Sequence, residues 1–63
     1  MLIPVINYDN PPPEALMSAL AHFEARCQMS GRVTVSEDEV RAFLREEYPG
    51  VAELFRATHL RPA

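Results

Sequence analysis

The chain has no tryptophan, two glycines and a single cysteine. Its six basic residues are all arginine, so lysine is absent as well. Each shortage removes a class of chemistry. Cys27 alone cannot form an internal disulfide, nor a zinc site built on paired thiolates. Gly31 and Gly50 are too isolated to form a glycine-rich loop that cradles phosphate. No segment approaches the ~20 apolar residues that span a bilayer. The opening Met1-Leu2-Ile3-Pro4-Val5-Ile6 has no positive n-region, so a secretory leader is not expected. One free thiol without such a leader fits a reducing cytoplasm. The lack of lysine is most simply codon usage rather than a special need for guanidinium groups.

Charge narrows the partners. Nine carboxylates against six arginines give a formal charge of −3. A mildly acidic domain lacks the basic field that sequence-tolerant nucleic-acid binding needs.

A chain of 63 residues is one domain, spanning 1–63 with residues 1–12 as an extended N-terminal arm. At this size only about 60% of the unfolded surface is buried, so stability is marginal without help. With disulfide and paired-thiolate metal sites excluded, the remaining aid is a partner chain. Hydrophobic residues make up 48% of the chain and charged residues 24%, which leaves apolar material to spare.

The strongest local signal is Val35-Ser36-Glu37-Asp38-Glu39-Val40. Ser36 can accept from the Glu39 amide, Glu39 can reach back to the Ser36 amide, and Val35 and Val40 form a hydrophobic staple. This opens a helix running from Glu37 to about Glu47, with Val40, Phe43 and Leu44 inward. Glu37 precedes Arg41 by four residues in the favourable orientation. An earlier helix starts at 12–14, where Pro13 suits the first turn, and runs to about Met29. Leu16, Ala19, Leu20, Phe23 and Cys27 form its apolar stripe, and Gly31 supplies the left-handed stop.

Tyr48-Pro49-Gly50 breaks the second helix. A last helix of about 51–59 is expected to bury Val51, Leu54, Phe55 and Thr58, with 60–63 as a fraying tail. Residues 2–6 and 32–35 are β-branched and either pair as a two-stranded ribbon or run extended. The expected fold is therefore an all-α domain of three helices, with at most a minor β ribbon.

Candidate chemical sites are weak. Cys27 lies five residues after His22, about 140° round the helix, so the two cannot chelate from one face. His59 could reach Cys27 only through tertiary folding, and no third orienting group is evident. The acids Glu37-Asp38-Glu39 and Glu46-Glu47 are neighbours on solvated helices rather than groups facing each other across a cleft. No catalytic, cofactor-binding or metal-binding residue is expected.

A helix-turn-helix DNA-binding regulator is the first alternative, since helix two, a short break and helix three have suitable lengths. Against it, Glu46 would occupy the small buried position four residues before Gly50, and the reading helix would offer only Arg56, with Arg61 just beyond. The apolar surplus favours a different function. Leu2, Ile3, Val5, Ile6, Tyr8, Met17, Met29 and Leu60 have no evident place in a three-helix core, and an exposed patch of that size marks an interaction site. The expectation is a small non-enzymatic module that binds and regulates, inhibits or adapts a larger protein, as a homodimer or a complex subunit. An accessory subunit of an enzyme is the second alternative. The contact residues expected are Leu2, Ile3, Val5, Ile6, Tyr8 and Met17. In size and acidity the chain resembles the short reading frames of phages and mobile elements, a likeness of type that no motif narrows to a family.

Overall fold

The computed structural model describes residues 1–63. In chain order it contains β1 (Leu2–Ile6), α1 (Glu14–Met29), α2 (Glu37–Glu47), two single-turn 3-10 helices (Ala52–Leu54 and Ala57–His59) and β2 (Leu60–Pro62). The fold is α+β, and the expected three-helix all-α domain is corrected.

The two helices form where their local signals lie. Pro13 is the N-cap of α1, and its carbonyl accepts from the Met17 amide at 2.8 Å. At the other end Arg32 N–H donates to Cys27 C=O and Gly31 N–H to Gln28 C=O, with Gly31 at φ 69°. That pair of bonds is a Schellman closure, which glycine permits without steric cost. The Ser36 box is complete: Glu39 N–H donates to Ser36 Oγ at 3.1 Å and Ser36 N–H to Glu39 Oε1 at 3.3 Å. Val35 and Val40 on either side of it are fully buried. Arg41 grips Glu37 through Nε and Nη2, at 3.0 and 2.7 Å.

The helix expected at 51–59 is absent. Phe55 and Arg56 are extended, with φ/ψ of −69°/136° and −128°/148°, and they separate the two 3-10 turns. A continuous helix would have turned Leu54 and Phe55 inward together. Instead Phe55 is fully buried, Leu54 is 47% exposed, and Ala52, His59 and Leu60 complete the buried set. Neither turn has the Ser, Thr or Asp cap that would nucleate a helix against the break at Pro49-Gly50.

What replaces the helix is a strand. Residues 60–62 pair antiparallel with β1, in the register Leu2↔Pro62, Ile3↔Arg61 and Ile6↔Leu60. The expected fraying tail thus holds the second strand of the sheet, and the expected arm of residues 1–12 holds its first, Leu2–Ile6. Between Ile3 and Ile6 the register shifts, so Pro4 and Val5 sit in a bulge.

The ribbon expected between 2–6 and 32–35 survives as one residue pair. Leu2 and Val35 exchange both backbone hydrogen bonds at 2.8 Å. By strand alternation the next such pair would be Pro4 with Val33, and Pro4 has no N–H to donate. The same alternation makes Pro62 harmless: opposite Leu2, whose amide and carbonyl face Val35, no donor is required of it. A core of Ile6, Leu16, Ala19, Leu20, Phe23, Cys27, Val35, Val40, Leu44, Ala52, Phe55 and Leu60 draws on both helices, both strands and the first 3-10 turn.

Candidate functional site

Two surfaces stand out. The first is the outer face of β1. Along this strand burial alternates: Pro4 and Ile6 are buried, Ile3 is half-buried and Val5 is 37% exposed. Tyr8, just past the strand, is 65% exposed. The segment is held firmly. Asn7 N–H donates to His59 C=O, and Asn7 Nδ2 donates to the Thr58 carbonyl. Asn7 Oδ1 accepts from the Asp9 amide, closing an Asx turn, and Asn10 Nδ2 donates to Thr58 Oγ1.

The six residues expected to bind a partner therefore divide. Val5 and Tyr8 are exposed and Ile3 is half-exposed. Ile6 is a core residue, while Leu2 and Met17 are half-buried and pack against the core. Leu60, also counted as surplus, is buried under the sheet. The apolar excess is smaller than composition implied, because the C-terminal strand supplies a second layer that three helices would have lacked.

The second surface is a groove of about 380 Å³ between the end of α1 and α2. Phe23, Cys27, Ala42 and Phe43 contribute its apolar lining, with Arg26, Arg32, Glu46 and Glu47 round it. Phe23 and Phe43 lie with ring centroids 5.1 Å apart, and the Arg26 guanidinium sits 5.1 Å from the Phe43 centroid. His22 meets Phe43 and Tyr48 edge-on, and its Nδ1 lies 2.8 Å from the Tyr48 hydroxyl. No sequence pattern announces this contact, which joins residues 26 positions apart.

The chemistry-bearing side chains are dispersed. His22 is bonded to Tyr48 at the end of α2, Cys27 is buried in the core, and His59 is buried at the end of the second 3-10 turn. Burial raises the Cys27 thiol pKa; Arg32 and Arg26 oppose the shift while Glu39 adds to it. A thiol held protonated is a poor nucleophile. His59 is 9% exposed. Its burial follows from the extended Phe55-Arg56 step, which carries it inward. The helix-turn-helix alternative loses its reading helix with the correction at 51–59, and Arg56 Nη1 is committed to the carbonyls of Glu53 and Phe55, both at 3.1 Å. No helix is long and apolar enough to cross a membrane. Comparison with protein-family models, with curated proteins and with solved structures finds no match.

Proposed function

We propose that the protein is a non-enzymatic binding module that docks on protein through the outer face of β1, with Ile3, Val5 and Tyr8 at the centre. The observation carrying this reading is that β1 is tied to β2 on one edge and to Val35 on the other, yet leaves Val5 exposed and Ile3 half-exposed, with Tyr8 exposed just past its end. A rigid, uncharged strip of this kind loses little conformational entropy on docking. Self-pairing as a homodimer is the simplest form of the reading. Attachment to a larger protein uses the same strip. The single unpaired thiol suits a reducing compartment, and we place the protein there.

The strip alone is not an interface. A stable one covers about 800 Å² on each partner, roughly a fifth of the 4020 Å² this chain exposes. Met1, Asp9 and Arg61 are the neighbours positioned to form its rim. Light scattering over micromolar to millimolar concentrations tests self-pairing. The expected mass is twice 7.1 kDa, returning to one copy in Val5→Asp and Tyr8→Asp. Capture of a host protein that the same two substitutions abolish would support the larger-partner form. A strict monomer whose captured proteins are indifferent to both substitutions eliminates the reading.

A further inference from the structure

His59 is the one polar side chain that the fold buries, at 9% exposure. Its position is defined by three bonds. The ring Nδ1 accepts from Arg56 N–H at 3.0 Å. The His59 amide donates to Arg56 C=O, and the His59 carbonyl accepts from Asn7 N–H, both at 2.9 Å. The first two bonds close the second 3-10 turn, and the third fastens that turn to the end of β1. Directly after His59 the chain enters β2. One residue therefore sits at the junction where the C-terminal strand is held to the rest of the molecule.

Because Nδ1 is an acceptor, the neutral ring carries its proton on Nε2. We propose that His59 is an acid-operated latch, whose protonation at Nδ1 releases the second 3-10 turn and β2 from β1. The added proton converts the acceptor lone pair into a donor facing the Arg56 donor, so that bond cannot persist. The surroundings offer the imidazolium no acidic hydrogen-bond partner. Within the turn the nearest charge is the Arg56 guanidinium, held on the carbonyls of Glu53 and Phe55. From α2, Arg41 lies 5.3 Å from the Phe55 ring centroid and is already paired with Glu37. Phe55 itself packs on the His59 ring with centroids 6.2 Å apart. From the β1 side come the neutral amides of Asn7 and Asn10, and β2 adds only Arg61. No carboxylate hydrogen-bonds to His59.

The electrostatics agree in direction. Burial, and then the charge of Arg56, lower the His59 pKa from its ordinary 6.5. The open form takes up its proton near 6.5 while the closed form resists. Closure is therefore fully stable above that value, weakens as pH falls below it, and levels off beneath the lowered folded value. Each tenfold gap between the two acid constants appears as a tenfold rise in opening. This latch does not rest on the docking role of β1.

Amide-exchange protection in the intact chain, compared between about pH 8 and pH 5, tests the latch. The amides of Asn7, Arg56 and Ala63 are expected to lose protection relative to Leu20 and Phe23 in α1, by the factor that separates the two acid constants. His59→Asn places Oδ1 where Nδ1 stood, keeping an acceptor that does not titrate, and should flatten the response. His22→Gln should leave it intact. Should His59→Asn fail to fold, the wild-type imidazole nitrogen shifts provide a second measure, since protonation must track the opening of the Arg56 amide. The proposal is overturned by unchanged protection, by a response that persists in His59→Asn, by parallel loss in α1, or by an imidazole still neutral when the amides open.

Discussion

Glu39 holds two duties at once. Its carboxylate accepts from the Ser36 amide that starts α2, and from Arg32 Nη2, with oxygens at 2.6 and 2.8 Å. The Arg32 hydrogen bond first, and the Ser36 amide second, draw its pKa below the ordinary 4.5. A lowered carboxylate contributes stability above the unfolded value and loses it as pH falls through the folded one. The acid limb of a denaturation profile should therefore weaken below about pH 4.5, and Glu39→Gln should flatten that portion of it. Ser36→Ala removes the other half of the box and should lower stability by about 1 kcal/mol, read as an earlier urea midpoint at unchanged slope. Gly31 is the comparable case on α1. Nothing lies within 4 Å of an added Cβ, so strain at φ 69° is the only cost. Gly31→Ala should lose about 1 kcal/mol and Gly31→Asn less. The box and the Gly31 stop were legible in the sequence because their partners lie within five positions along the chain, whereas the Arg32–Glu39 pair spans seven and was not.

Elements divide by where their hydrogen bonds go. α1 and α2 satisfy their own backbones, so periodicity and end signals located both to within two residues. The segment after Gly50 cannot be read that way. Its apolar residues Val51, Leu54 and Phe55 fit a helical stripe, but the backbone of 60–62 finds partners in β1. A dispensable tail and a structural strand make opposite forecasts. Deleting residues 60–63 should abolish cooperative unfolding, and Leu60→Ala, at a fully enclosed site, should cost about 2–5 kcal/mol. A deletion variant that melts like the parent would restore the tail. Pro4 bears on the other edge. Pro4→Val supplies the missing donor opposite Val33, and a newly protected amide at position 4 is expected in hydrogen exchange.

Across the whole molecule the sheet joins the two ends of the chain, with Leu2 beside Pro62 and Ala63 N–H donating to Met1 C=O at 3.1 Å. Closing so long a loop is entropically costly before the contact is formed, whereas α1 and α2 are separated by seven residues. The strands should therefore dock late. In stopped-flow chevrons Leu60→Ala should mainly speed unfolding, and Leu20→Ala in the helical core should mainly slow folding. The reverse pattern would place the sheet in the folding nucleus. The outward strip on β1 was only half visible beforehand. Apolar content marked the N-terminal segment, but which of Leu2, Ile3, Val5 and Ile6 turn inward depends on the face that α1 covers. Met17 depends on the same packing.

By itself, the sequence determined both helices, their caps and the break at Pro49-Gly50, because those features close hydrogen bonds between near neighbours. It also determined that Pro4 would limit strand pairing, since a missing donor is a covalent fact. Tertiary structure alone decided that residues 60–62 are a strand, that 51–59 is two turns rather than a helix, and that His59 is buried. The strand and the seat of His59 depend on β1 and Asn7, more than fifty residues away, and no local pattern can encode which distant backbone will satisfy a given amide.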